Sequence, residues 1–248
     1  MQRGLKRFFV IFMAVILIAA VSFVLWASAA APASLRALDE GRTTSQVFVE
    51  SVNGWQVFRP TQGQPTTGLI FYPGGRVSFQ AYAPLLRPLA EKGYLVVVPP
   101  MPLNLAIFGL NAASEVIATY PQIKHWAVGG HSLGGSMAAS YARANPGKIE
   151  GLLLWASYPA GSDDLSGSGL KVSSIYASND GLATPAKVEA SRPLLPPTTR
   201  WVLIEGGNHA GFGSYGTQSG DGAATISPET QWEQVSAASL SLLKSLED

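Results

Sequence analysis

Residues 126–144 read WAVGGHSLGGSMAASYARA, and this stretch gives the strongest indication of the fold. It begins with an apolar run typical of a buried strand, and the residues from Ser132 onward predict a helix. The turn between them, GHSLG at residues 130–134, matches G-x-S-x-G at a strand-to-helix junction. Gly130 and Gly134 permit a turn so sharp that the serine backbone is strained and its hydroxyl is presented. The pattern therefore predicts Ser132 as a nucleophile.

The rest of the sequence alternates short apolar runs with helical segments, an order typical of a mainly parallel sheet with helices on both faces. Asn53-Gly54 separates two strand-like runs, so an antiparallel hairpin should open the sheet. The predicted strands are residues 46–52, 55–59, 69–72, 95–98, 126–128, 151–155, 172–176 and 201–204. The predicted helices are residues 81–92, 112–120, 132–144, 186–190 and 228–246. We therefore predict one α/β catalytic domain over residues 35–248.

A serine hydroxyl is a poor nucleophile at neutral pH and needs a neighbouring base. The sequence has three histidines. His131 lies within the turn and should point away from Ser132, and His125 stands at the entry of the preceding strand. His209 follows the last predicted strand, in a loop that should emerge at the same edge of a parallel sheet as Ser132. His209 is therefore the predicted base.

The acid that orients this base should follow another strand and stand between the serine and the histidine in the chain. Asp180 directly follows a predicted strand in a compact Asn-Asp-Gly turn, and it is the favoured residue. Asp163 and Asp164 follow the strand before it and stay as alternatives. Asp221 comes after the histidine, and we interpret it as a loop residue that makes Asx-type turns.

Two backbone N–H groups should stabilise an oxyanion. Leu133 stands at the N-terminus of the helix after the turn, where free N–H groups and the helix dipole favour negative charge. The second donor should come from the loop after the third strand, which reads PGGR at residues 73–76. The sequence predicts the N–H of Gly75 or Arg76 as this donor and leaves both open.

Residues 8–26, FFVIFMAVILIAAVSFVLW, contain no charged residue. At ~1.5 Å per helical residue, this run matches the hydrocarbon core of a bilayer. Three basic residues precede it, so the positive-inside rule places the domain outside the cytoplasm. We interpret residues 1–34 as a signal anchor and a linker, which makes the chain a single-pass membrane protein. Small residues at 27–29 leave signal-peptide cleavage and secretion as the alternative.

The composition excludes several classes of function. The net charge is +1, so there is no strong field to attract nucleic acid, and no nucleic-acid partner is expected. The sequence contains no cysteine, which excludes thiolate catalysis, thiolate metal sites and disulfides within it.

With these residues in view, the chain resembles the α/β-hydrolase superfamily. More narrowly, it is similar to small members without a lid, of the dienelactone-hydrolase-like and cutinase-like kind. The resemblance covers residues 46–246 and rests on GHSLGG, Asp180 and the Gly-Asn-His loop of His209. True dienelactone hydrolases use a cysteine nucleophile, so their named activity is not implied. Residues 156–171 contain no long insertion of the kind that forms lids, and an open site is expected.

The resemblance implies cleavage of a carboxylic ester or thioester through an acyl-enzyme. The partner would be a small-molecule ester, and neither a metal ion nor an organic cofactor is implied. Two alternatives remain at this stage. One is a binding protein that keeps the fold without catalysis, and the other is an acyltransferase in which an alcohol replaces water.

Overall fold

The computed structural model describes residues 2–247, and the side chains of residues 6–247. The α-helices in this part of the chain are α1 Gln2–Ser28, α2 Leu35–Glu40, α3 Ala83–Glu91, α4 Ala112–Thr119, α5 Leu133–Ala144, α6 Pro185–Ala190 and α7 Pro228–Ser245. The strands are β1 Val47–Val52, β2 Trp55–Pro60, β3 Thr67–Tyr72, β4 Leu95–Val98, β5 His125–His131, β6 Gly151–Trp155, β7 Lys171–Ala177 and β8 Arg200–Ile204.

The strands form one sheet in the order β1-β2-β4-β3-β5-β6-β7-β8. β1 and β2 are antiparallel, β2 is antiparallel to β4, and every later pairing is parallel. The first hairpin turns at Asn53-Gly54, where both residues have positive φ (54° and 81°), as a tight two-residue hairpin turn requires. The predicted fold class, a mostly parallel sheet that opens with an antiparallel hairpin, is confirmed.

Helices cover both faces of the sheet and enclose a separate apolar core on each. On one face, α3 and α7 contribute the buried residues Leu85, Leu86, Leu89, Val235, Leu242 and Leu243. On the other face, α4 and α5 contribute Val116, Ala138, Ala139 and Tyr141. Because the central strands are covered on both sides, they are apolar along their length rather than alternating, as β4 with four buried residues shows.

Two boundaries around the serine differ from the prediction. The strand was expected to end near Val128, but β5 continues to His131 because residues 129–131 still pair with β3 and β6. The helix was expected to begin at Ser132, but α5 begins at Leu133 because Ser132 has φ 53° and ψ −122°, which is not a helical conformation. Ser132 therefore stands alone at the turn between the two elements.

Helix α1 is the candidate membrane span. Within Lys6–Ser28, a stretch of 18 residues reaches a mean hydropathy of 3.1, and the large apolar side chains of residues 8–26 are exposed. The residues expected to form a linker after this helix are held on the domain. Ala31 N–H donates to the Arg76 carbonyl at 2.7 Å, and Ser78 N–H donates to the Ala31 carbonyl at 2.9 Å. The end of α1 is thus attached to the loop after β3.

Candidate active site

Ser132 lies on a turn that only glycine neighbours permit. A Cβ atom on Gly130 would lie 2.6 Å from the Tyr72 carbonyl oxygen, and one on Gly134 would lie 2.1 Å from the same atom. Both distances are far inside van der Waals contact with backbone, which cannot move cheaply. The two glycines therefore allow β5 and α5 to meet at a sharp angle beside the end of β3.

The strained backbone of Ser132 is held by hydrogen bonds from both sides. Its φ of 53° is a left-handed value that costs a non-glycine residue about 1–3 kcal/mol unless the surroundings enforce it. The Ser132 N–H donates to the Trp155 carbonyl at 3.0 Å, and the Ser157 hydroxyl donates to the Ser132 carbonyl at 2.7 Å. The half-buried serine side chain is thereby presented at the carboxyl edge of the sheet.

His209 and Asp180 meet at this edge. The Nδ1 atom of His209 lies 2.8 Å from Oδ2 of Asp180, and the exposed fractions of the two residues are 1% and 3%. Because a carboxylate only accepts, Nδ1 carries the proton and donates it. Oδ1 of Asp180 accepts the N–H groups of Leu182 and Ala183, both at 2.8 Å, so the carboxylate is held in one orientation. Nε2 of His209 has no protein partner among residues 6–247.

The two alternative acids lie elsewhere. Asp163 accepts a hydrogen bond from the Ser140 hydroxyl of α5. Asp164 is exposed and accepts the Ser166 N–H at 2.9 Å, and hydrogen bonds from Ser166 lower the pKa of its carboxyl. Of the three candidates, Asp180 is the one that the structure brings to His209.

Asp221 has a role that the sequence did not indicate. Its Oδ1 accepts the N–H of His209 at 3.1 Å and the N–H of Gly181 at 3.1 Å, and its Oδ2 accepts the N–H of Ala210 at 2.8 Å. Asp221 is a loop residue, as predicted, and its Oδ1 also accepts the N–H of the adjacent Gly222 at 2.8 Å, but a local turn does not account for the other partners, which lie 12, 40 and 11 residues away in the chain. The side chain ties the loop of Asp180 to the loop of His209. Nothing in the spacing of the sequence signals such a contact.

His131, which precedes Ser132 in the chain, is fully buried. Its Nδ1 lies 3.0 Å from the hydroxyl of Tyr82, which also accepts the Gly74 N–H at 2.8 Å. Burial raises the pKa of Tyr82, so the hydroxyl keeps its proton and donates it to Nδ1. Burial and the neighbouring His209 lower the pKa of His131 well below its usual value, so its ring is neutral. His131 and Tyr82 together hold Gly74 in place.

The oxyanion prediction left Gly75 and Arg76 open, and the structure separates them. The Arg76 N–H donates to the Asn104 carbonyl at 2.7 Å, so it is not a free donor and that alternative is wrong. Within the described residues, neither Gly75 N–H nor Leu133 N–H donates to another protein group. A Cβ atom on Gly75 would lie 3.2 Å from Leu133 Cδ2, so the two loops are close neighbours.

Two clefts adjoin at Leu133. Ser132 and His209 line a cleft of about 290 Å³ together with Leu182 and Ala183. Gly75 lines a second cleft of about 640 Å³, and Leu133 contributes to both. Within residues 6–247, no three His, Asp or Glu side chains are grouped as metal ligands. The arrangement combines a presented hydroxyl, an imidazole fixed by a carboxylate, and free backbone donors.

Comparison with known proteins places this chain in a family. The model of a family described as the alpha/beta hydrolase family matches residues 68–233, which is more than half of the chain. The chain belongs to the alpha/beta hydrolase family. This confirms the resemblance inferred from the turn at Ser132 and the loops of Asp180 and His209. Among curated proteins, no relative of this alpha/beta hydrolase was found.

Solved structures share the fold of this alpha/beta hydrolase at low sequence identity. TT1662 from Thermus thermophilus has a TM-score of 0.58 at 17% identity, over 81% of this chain and 98% of its own. A proposed dienelactone hydrolase from Klebsiella pneumoniae subsp. pneumoniae has a TM-score of 0.57 at 17% identity, over 77% and 96%. A predicted CIB-like hydrolase from Thermoplasma acidophilum has a TM-score of 0.54 at 20% identity, over 79% and 98%. At these identities the similarity shows the fold alone.

Proposed function

We propose that this chain is a serine hydrolase that cleaves a carboxylic ester or thioester through an acyl-enzyme. Ser132 is the nucleophile, His209 is the base and Asp180 orients that base. One observation carries the proposal: His209 Nδ1 donates to Asp180 Oδ2 at 2.8 Å, while His209 and Ser132 line the same cleft. In that tautomer the lone pair of the imidazole is on Nε2, the atom that a proton acceptor needs.

Acylation begins when Ser132 Oγ attacks the carbonyl carbon of the ester and its proton passes to His209 Nε2. The carbonyl oxygen becomes an oxyanion, which the N–H groups of Leu133 and Gly75 stabilise. Each such donor is worth about 10²–10³ in turnover. The C–O bond of the ester then breaks, and the alcohol leaves with the proton from His209.

Deacylation repeats these steps with water. His209 takes a proton from water, whose oxygen attacks the acyl carbon, and the acid leaves as Ser132 regains its proton. Asp180 stays ionised and stabilises the imidazolium that forms in both halves. Its two backbone N–H bonds hold the carboxylate in one orientation, which suits this task.

We also propose that α1 anchors the hydrolase in a membrane, with the domain outside the cytoplasm. Support comes from the exposed apolar surface of residues 8–26 and from the basic residues before it. A cleaved signal peptide would place the domain on the same side, in free form. The size of the mature protein in a membrane fraction separates the two.

The experiment for catalysis is labelling of the full chain, in detergent, with a fluorophosphonate. Wild type and Ser136→Ala should be labelled, whereas Ser132→Ala should not. Ser136 is a matched control because it lines the same cleft. Equal labelling of Ser132→Ala would overturn the nucleophile, and folded wild type that neither labels nor cleaves an ester series would indicate a non-catalytic binding protein. Product analysis with added alcohols distinguishes hydrolysis from acyl transfer.

A further inference from the structure

The end of α1 forms part of the wall of the larger cleft. Trp26 and residues 29–31 line this cleft together with Gly75 and Leu133. The guanidinium of Arg76 lies 4.5 Å from the centre of the Trp26 ring, and its Nη2 donates to the Ala29 carbonyl at 2.9 Å. The candidate membrane span and the loop that carries a predicted oxyanion donor are thus in direct contact.

The apolar surface of α1 continues onto the domain at the turn Ala106–Phe108. The ring centres of Phe23 and Phe108 lie 6.3 Å apart in an edge-to-face arrangement. Ile107 and Phe108 are 58% and 52% exposed, and they extend the exposed apolar surface of α1 into a larger patch. Leu105, directly before this turn, lines the cleft. One continuous apolar surface therefore runs from α1 to the edge of the cleft.

The absence of charged residues near the turn and its position along α1 indicate that a lipid bilayer covers this apolar surface. Residues 93–114, which include the turn, contain no charged side chain. Tryptophan is enriched where a membrane span meets water, so Trp26 marks the outer interface. Phe23 is three residues earlier, or ~4.5 Å deeper along the helix axis. Because Phe108 packs on Phe23, the turn lies at the depth where headgroups meet acyl chains.

We propose that the turn Ala106–Phe108 inserts into the outer leaflet beside α1, so that the larger cleft opens at the membrane surface. The substrate is then an amphiphilic ester whose acyl chain is held in that leaflet. The chain passes from the bilayer along Leu105 toward Leu133, and the ester carbonyl lies at Ser132. This inference rests on the proposed function and on the proposed anchor.

The position of the turn can be measured without catalysis. Because the sequence has no cysteine, Phe108→Cys in the full chain accepts one environment-sensitive fluorophore. Leu203→Cys, on the edge strand β8 and 41% exposed, is the matched control. In phosphatidylcholine vesicles, spin-labelled lipids should quench the label at 108, and aqueous iodide should quench the label at 203. Iodide quenching of both labels to the same degree would overturn the insertion.

The substrate class is tested with two esters. Wild type should hydrolyse a soluble short-chain nitrophenyl ester and a long-chain umbelliferyl ester dissolved in vesicles. The variant with Ile107→Ser and Phe108→Ser should keep the soluble rate and lose about tenfold on the vesicle ester, because the apolar side chains that enter the leaflet are replaced by polar ones. Leu203→Ser should change neither rate.

The outcomes separate the inference from the proposed function. If wild type cleaves the soluble ester but the double variant keeps the wild-type rate on the vesicle ester, the proposal that the cleft opens at the membrane is wrong. The proposal of a serine hydrolase is then retained. If folded wild type cleaves neither ester, the proposed function is wrong, and the proposed substrate class is wrong with it. This conclusion does not depend on the result of the quenching experiment.

Discussion

The end of β5 and the loop after β8 each hold one histidine, and the exposed fraction of both is 1%. The ring centres of His131 and His209 lie only 4.5 Å apart. They differ in what Nδ1 contacts: His209 donates to the carboxylate of Asp180, whereas His131 accepts from the hydroxyl of Tyr82. A carboxylate stabilises an imidazolium and a neutral hydroxyl does not. Since both histidines are equally buried, we infer that the partner of Nδ1, and not burial, makes His209 suited to proton transfer.

The largest expected effect comes from exchanging the two histidines separately. His209→Asn should lower kcat for a soluble ester by at least about 10³-fold, because no group remains to take the serine proton. The kcat of His131→Asn should stay within about tenfold of the wild-type value, because the His131 ring only holds the loop of Gly74. Steady-state kinetics and circular dichroism on both variants check this. Equal losses of kcat in two folded variants would contradict the assignment of His209 as the base.

The second test concerns the carboxylate that distinguishes His209. Asp180→Asn should lower kcat by about 10³–10⁴ with little change in KM, because the ring loses both its orientation and its counter-charge. Asp163→Asn is the control and should remain near wild type, since Asp163 bonds to Ser140 instead. The pair of kcat values decides between the acids, and a greater loss in Asp163→Asn would reassign the role.

A smaller effect is expected at Asp221, which we infer to be a positioning residue. In the wild type, the two carboxylate oxygens of Asp221 accept backbone N–H groups of the His209 loop, whereas the amide of Asp221→Asn offers only one acceptor oxygen. The loop should therefore shift, and a small displacement of a catalytic group can lower the rate up to about 10²-fold. We expect kcat to fall about 10- to 100-fold with KM unchanged. Asp39→Asn, an exposed aspartate on α2, is the control. A loss of stability with unchanged kcat would show a purely structural role.

The smallest expected effect is on stability and involves His131. Its pKa is lowered in the folded state, so below its ordinary value of 6.5 the unfolded chain binds more protons. The free energy of unfolding should therefore fall as pH drops from about 8 to about 5, by about 1.4 kcal/mol for each unit of pKa shift. Urea unfolding in detergent measures it. His131→Asn should flatten this dependence, and His125→Asn, at a half-buried histidine at the start of β5, should not.

Much of the fold could be predicted because its signals are local. Asn53-Gly54 predicts a hairpin because these two residue types readily adopt the positive φ angles that a tight turn needs. Gly130 and Gly134 predict the turn at Ser132 because no side chain fits at these positions. The alternation of apolar runs and helices then implies a parallel sheet. His209 could be predicted by elimination, since the sequence offers only three histidines and one stands after the last strand.

Local sequence patterns therefore predicted the sheet, the turn, the histidine after the last strand and an apolar N-terminal segment. The folded chain was needed to show which carboxylate meets His209, which amide after β3 is free, what Asp221 joins, and where α1 ends against the domain. The physical reason is separation along the chain: Asp180 and His209 are 29 residues apart, and Asp221 and Gly181 are 40. Contacts of this kind depend on how loops from different strands converge in space, and no local pattern of residues encodes that.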